Sequence, residues 1–132
     1  MEFKVEKKDD LKDVINCIKN SKKKIILLNG TLGSGKTTLV KEFLKSEGIK
    51  NIAVSPTFSI QNIYDNKIFH YDMYQKKDEF LVLGMLEELE KKGIHFIEWG
   101  EEIEDILKHF GFDYLKINIE LKNNHRIIKC QY

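Results

Sequence analysis

The chain has 132 residues, which predicts one domain over 1–132 with enough length to bury a real core. Twenty-two Lys and Arg face twenty-one Asp and Glu, and the net charge of +1 excludes a chain that grips nucleic acid by bulk charge. With 42% hydrophobic residues, no apolar run near the roughly 20 of a membrane span, no signal-peptide core in Met1-Glu2-Phe3-Lys4-Val5-Glu6 and no zinc spacing around Cys17 and Cys130, the expectation is a cytoplasmic protein with reduced thiols and no membrane contact.

In chain order, residues 3–5 predict a short strand, and Asp9 or Asp10 is expected to cap a helix on which Leu11, Val14, Ile15 and Ile18 share one face. Ile25-Ile26-Leu27-Leu28 is a continuous apolar run, the pattern of a strand buried on both faces of a parallel sheet. A glycine-rich stretch over 29–37 follows, then a predicted helix over 38–47 stopped by Gly48, and a short strand over 52–54. Residues 58–64 and 68–74 predict a hairpin turning at Asp65-Asn66-Lys67. A helix over 79–92 ends at Gly93, a strand runs over 94–99, and an amphipathic helix over 101–110 ends at Gly111. Residues 114–121 alternate, turn at Asn123-Asn124 and return over 125–130 as a second hairpin. Strands alternating with helices, together with hairpins, predict an α/β fold: a P-loop NTPase-like domain with a mixed, mainly parallel central sheet flanked by helices.

Gly30-Thr31-Leu32-Gly33-Ser34-Gly35-Lys36-Thr37 fits G-x-x-x-x-G-K-[ST] between a buried strand and a helix, the context that motif requires. Glycines let backbone N–H groups turn inward around phosphates, and the helix that starts there adds its dipole. Lys36 is expected at the β- and γ-phosphates and the Thr37 hydroxyl on Mg²⁺, with Thr38 continuing the cradle. No N-K-x-D guanine-reading motif is present, because Asn66-Lys67 runs into Ile68-Phe69, so ATP is the expected nucleotide.

Such a loop needs a carboxylate at the end of a neighbouring strand. Asp72 ends Ile68-Phe69-His70-Tyr71-Asp72, Glu98 ends Ile94-His95-Phe96-Ile97-Glu98, and both are assigned to the site. His70, His95, His109 and His125 show no ligand spacing and are expected to be structural or solvent-facing, while Tyr71, Tyr74 and Trp99 are expected to be half-buried. Arg126 is the sole arginine, and beside the turn of the last hairpin it is expected to be a surface charge.

Gly30 to Thr38, Ser55-Pro56-Thr57-Phe58, His70-Tyr71-Asp72-Met73-Tyr74 and Ile97-Glu98-Trp99-Gly100-Glu101 follow the order and spacing of the TsaE (YjeE) family, which the chain resembles over nearly its whole length. The resemblance implies a small P-loop ATPase of tRNA threonylcarbamoyladenosine biosynthesis. In that family ATP binding and hydrolysis reset the TsaD–TsaB complex that acts on tRNA, with tRNA met through the complex. It further implies that Thr37 and Glu98 hold Mg²⁺, that Asp72 orients water near the γ-phosphate, that Thr57 senses that phosphate, and that Trp99 supports the site or meets a partner. The family's usual arginine after H-x-D-x-Y is Gln75 here, which has neither charge nor guanidinium fork. Two alternatives stand beside this reading: a small kinase, against which a single arginine counts, and a regulatory module that binds nucleotide without turnover.

Overall fold

A computed structural model describes residues 1–31, 33–50, 61–74, 78–99 and 103–131. Its elements are β1 (Glu2–Val5), α1 (Leu11–Ser21), β2 (Ile25–Gly30), α2 (Lys36–Ser46), β3 (Gln61–Tyr64), β4 (Ile68–Asp72), α3 (Glu79–Glu88), β5 (Ile94–Glu98), α4 (Glu104–His109), β6 (Leu115–Leu121) and β7 (Arg126–Gln131). The strands form one sheet in the order β1-β7-β6-β2-β5-β4-β3. β6, β2, β5 and β4 run parallel, while β3, β7 and β1 are added by antiparallel pairing. The mixed, mainly parallel sheet expected from the sequence is therefore the one observed.

The apolar run of β2 sits at the centre because both faces of the sheet are covered. Ile26 and Leu28 pack with α1 and α2, through Val14, Ile18, Leu39 and Phe43. Ile25 and Leu27 point the other way and pack with α3 and α4, through Val82, Met85, Ile103 and Leu107. Strand alternation thus sorts the core into two layers. Phe43 meets Phe96 edge-on at 5.0 Å between ring centroids, which ties α2 to β5.

Element ends differ from the expected ones for local reasons. α2 begins at Lys36, two residues early, since the glycine loop feeds directly into its first turn. α3 stops at Glu88, and residues 89–93 pass through turns and bends before β5. α4 begins at Glu104, while 101–102 lie outside the described residues. Asp10 does not cap α1 as expected. Its carboxylate accepts from the Glu6 and Lys7 amides on the preceding turn, which holds it below the usual carboxylate range. The expected strand over 52–54 lies outside the described residues. Asp65 and Asn66 make the hairpin turn with φ of +52° and +54°, the left-handed conformation that Asx side chains tolerate. Cys17 and Cys130 are both free thiols, and burial pushes the Cys130 thiol up to about 12. No helix among the described residues is long and apolar enough to cross a membrane.

Tyr71, expected to be half-buried, is fully buried, and so is His95. The Tyr71 hydroxyl lies 2.8 Å from His95 Nδ1, and His95 Nε2 lies 2.9 Å from the Lys91 carbonyl. A carbonyl only accepts, so Nε2 carries the proton and Nδ1 accepts from Tyr71. Burial holds His95 below its ordinary pKa, so the folded chain keeps it neutral where the unfolded chain takes up a proton. Stability contributed by this site is therefore complete above about pH 6.5 and falls as pH drops below it. Urea unfolding at pH 7.5, 6.0 and 5.0 should show a declining midpoint, and His95→Gln should flatten that decline.

Candidate nucleotide site

β2 ends at Gly30, and the chain reverses into α2 through the loop. Gly30 is required sterically: a Cβ there would lie 2.6 Å from Ser34 Oγ and 2.8 Å from the Ile119 carbonyl of the adjacent strand. Gly35 has φ +113°, and the Arg126 side chain covers its open face, with Nε 3.1 Å from where a Cβ would stand.

Lys36 is buried, and its ammonium donates to the carbonyls of Gly30 (2.6 Å) and Thr31 (3.0 Å). The same ammonium lies 3.9 Å from the ring centroid of Trp99, a cation–π geometry. Trp99 holds φ +64°, unusual for a bulky residue, with its amide bonded to the Leu28 carbonyl at 3.0 Å and its ring 4.7 Å from that of Tyr74. The end of β5 is thus turned so that an indole covers the lysine.

The carboxylates arrive by register. Parallel pairing sets Leu28 beside Glu98 and Asp72 beside Glu98, so both acids stand level with the end of β2. Glu98 is 3% exposed, and its Oε2 accepts from the Thr37 hydroxyl at 3.1 Å and pairs with His70 Nε2. His70 is fully buried and belongs to the site, a role that ligand spacing did not reveal. Strand alternation carries the missing signal, since Ile68, His70 and Asp72 share the face that α2 covers. Asp72 Oδ1 accepts from the Tyr74 amide at 2.9 Å. Gly33, Ser34, Gly35, Lys36, Thr37, Thr38, Asp72 and Glu98 line one cavity of about 330 Å³ with Tyr74, Trp99 and Arg126. Leu32, Thr57 with its Ser55-Pro56-Thr57-Phe58 segment, and Gln75 lie outside the described residues.

Arg126 corrects the expectation of a free surface charge. It is half-buried, and its Nε donates to the Ser34 carbonyl inside the loop. The reason is tertiary: β6 pairs with β2 so that Ile119 meets Gly30, and β7 pairs with β6 so that Arg126 meets Leu121. The last hairpin therefore delivers its arginine to the loop.

The donor set fits a hard divalent cation. Thr37 and Glu98 offer oxygen, and no group of three or more His, Cys, Asp or Glu side chains among the described residues gathers as a metal cage. Mg²⁺ bound by one carboxylate and a hydroxyl takes its remaining oxygens from phosphate and water.

A buried parallel strand, a glycine loop, a helix opening on Lys36-Thr37 and a carboxylate on the next strand define the P-loop class. The profile of the family described as "Threonylcarbamoyl adenosine biosynthesis protein TsaE" matches residues 5–128. The chain is similar to the tRNA threonylcarbamoyladenosine biosynthesis protein TsaE of Bacillus subtilis, at 32% identity over 81% of this chain and 75% of that protein. It resembles the TsaE of Rickettsia typhi at 38% identity (77% and 72%) and that of Haemophilus influenzae at 32% (80% and 68%). The fold matches the crystal structure of Bacillus subtilis YdiB with TM-score 0.71 and 24% identity, covering 97% of this chain and 82% of that one. The chain belongs to the TsaE family of tRNA threonylcarbamoyladenosine biosynthesis.

Gly30→Ala should test the packing at this turn directly. With a backbone carbonyl at 2.8 Å the new methyl forces a shift, and a loss of about 1–3 kcal/mol is expected. Thermal and urea unfolding of the purified variant measures it, and a parent-like midpoint would contradict the close approach.

Proposed function

We propose that residues 1–132 form one nucleotide-binding domain that binds ATP with Mg²⁺ and hydrolyses it in support of the TsaD–TsaB pair, which forms N6-threonylcarbamoyladenosine on tRNA. The observation that carries this reading is the Thr37 hydroxyl 3.1 Å from the Glu98 carboxylate, beside the loop lysine and over one cavity. Membership of the TsaE family supports the pathway, and the absence of an N-K-x-D motif in the sequence favours adenine over guanine.

In this proposal the loop amides, from Gly30 through Leu32 and Gly33 to Thr38, take the phosphates. Lys36 exchanges the Gly30 and Thr31 carbonyls for β- and γ-phosphate oxygens, which keeps its charge paired throughout. Thr37 and Glu98 hold Mg²⁺, which when bound neutralises charge building on the phosphates. His70 keeps the Glu98 carboxylate turned toward Thr37. Asp72, level with Glu98 at the adjacent strand end, orients the attacking water. Thr57 reads the γ-phosphate. Partner binding near Trp99 supplies a positive charge, since the sequence has Gln75 where the resemblance leads one to expect arginine.

Lys36→Ala should remove about 3 kcal/mol of binding, roughly a hundredfold in ATP affinity, without unfolding the chain. Calorimetric titration decides it, and parent-like affinity in a folded variant would falsify the nucleotide reading. Glu98→Gln should still bind ATP yet lose Mg²⁺-dependent phosphate release. The isolated chain should turn over slowly and be stimulated by the TsaD–TsaB pair; fast release by the chain alone counts against a partner-linked role.

A further inference from the structure

α3 lacks the polar outer face that a surface helix normally carries. Phe80-Leu81-Val82-Leu83-Gly84-Met85-Leu86 runs without a polar residue, yet only one side of it meets the core. Val82, Met85 and the following Leu89 are buried. Phe80 is 85% exposed, Leu83 is 53% exposed, and Leu81 is exposed beside them. Elsewhere among the described residues, exposed large apolar side chains come one to an element, as with Ile63 on β3 and Leu121 on β6. Single residues of that kind are ordinary, whereas a contiguous apolar stripe marks a surface that something covers. Phe80, Leu83, Gly84 and Glu87 follow helical spacing and share the outer face. Nothing stands within 4 Å of where a Cβ on Gly84 would lie, so the stripe has a shallow notch at its middle.

We infer that the outer face of α3 is a docking surface for a partner protein, which receives it in an apolar groove edged with lysine or arginine side chains. The inference rests on the partner-linked function proposed above and assigns that partner a contact away from the nucleotide cavity.

The nature of the occupant follows from charge. Residues 78–90 hold five acidic side chains and no basic one, in a chain whose net charge is +1. By helical spacing Glu79 and Glu88 flank the stripe, and Glu87 closes its far end. Lys91, the next base along the chain, is paired with Glu88 at 2.6 Å. Such a rim repels the nucleic-acid backbone and anionic lipid, both of which are met through lysine and arginine. It attracts a protein surface of opposite sign. A second copy of this chain fits poorly. Twofold pairing of α3 about Gly84 sets the Glu79 end of one helix against the Glu87-Glu88 end of the other, acid on acid, and the sole arginine is held in the glycine loop. Apolar anchors at helical spacing laid into a groove are a recurring mode of protein recognition. Position agrees with charge. β4 and β5 pair in parallel, so α3 is the crossover between them and its first turn lies toward the edge that carries Asp72 and Glu98. Tyr74, exposed and packed on the Trp99 ring, stands on that same edge. Three side chains alone fall short of the roughly 800 Å² that each partner buries in a stable complex. The further area lies toward Tyr74 and Trp99, where the proposed function already calls for a positively charged partner.

The probe is the purified TsaD–TsaB pair, titrated by calorimetry with the intact chain in the presence of ATP and Mg²⁺. Phe80→Ser combined with Leu83→Ser should weaken the complex at least about tenfold, because a few apolar anchors carry most of such a contact. The same variant should bind ATP as the parent does and lose the pair's stimulation of phosphate release. Both positions are exposed, so its unfolding midpoint should not fall. Gly84→Gln separates docking from folding: a better helix former should raise the midpoint, while its side chain fills the notch and weakens the complex. Parent affinity should decline as salt is raised, and Glu79→Gln with Glu87→Gln should flatten that decline. Parent-like affinity in the serine variant, or an affinity indifferent to salt, overturns the docking surface and leaves the partner-linked function standing. If the serine variant unfolds, Gly84→Gln decides alone, and unchanged affinity in it overturns the surface. Self-association of the parent that the serine variant abolishes makes the occupant a second copy and overturns the inference as well. A parent that leaves the pair unbound fails at the partner-linked function itself and takes the docking surface with it.

Discussion

Parallel pairing of β2 with β5, and of β5 with β4, is the constraint on which the rest depends. Burial of β2 on both faces excludes a solvated neighbour, and both strands that flank it run parallel to it. Once the register is set, Leu28, Glu98 and Asp72 fall in one row at the carboxyl ends of their strands. The loop leaves β2 two residues beyond that row, so its phosphate cradle and the acids share an edge without any long side chain having to search for the other. A one-residue slip of β5 would turn Glu98 to the α3–α4 face and break its contacts with Thr37 and His70. Open α/β sheets bind ligands at this edge for the same reason: strand ends leave backbone and side-chain polar groups unspent on the ladder.

At that edge each charged group is held by a stand-in for what a ligand would bring. The Lys36 ammonium has loop carbonyls and an indole face, and the Glu98 carboxylate has a hydroxyl and an imidazole. Burial of unpaired charge costs several kcal/mol, so these contacts let Lys36 and Glu98 sit at 5% and 3% exposure. They also mean that binding exchanges partners rather than adding them. The net gain from a phosphate is then smaller than its contacts suggest. Trp99 is on the same balance, since holding a bulky residue at positive φ costs of order 1–3 kcal/mol that its contacts with Lys36 and Tyr74 must offset.

The loop, the strand before it and the helix after it were legible because each rests on local spacing: glycines at fixed offsets, an unbroken apolar run, a change of period. Asp72 and Glu98 were legible as strand-end acids, though their shared level was not, because level depends on register between segments far apart in sequence. His70 was missed for want of ligand spacing, although its two-residue separation from Asp72 placed it on the same face. Arg126 could not be read from its neighbours. Its hairpin was evident, but nothing local says that β6 would join β2 on the side away from β5 and so bring residue 126 to residue 34. Helix ends drifted where turns intervene, as after Glu88, because stop signals such as Gly93 mark the end of a connection as readily as the end of a helix.

With one arginine in the chain, its anchoring has a further consequence for the proposed hydrolysis. Arg126 is tied to the Ser34 carbonyl within the loop, whereas Lys36 rests against the Gly30 and Thr31 carbonyls. Phosphoryl transfer in P-loop enzymes gains about 10³ to 10⁵ in rate from an arginine at the transferring group. The resemblance leads one to expect arginine where the sequence has Gln75, so in the proposed hydrolysis the cations at the phosphates would be Lys36, the metal and whatever a bound protein inserts. Under the proposed function, turnover would then depend on a cation supplied by assembly rather than on one built into the fold.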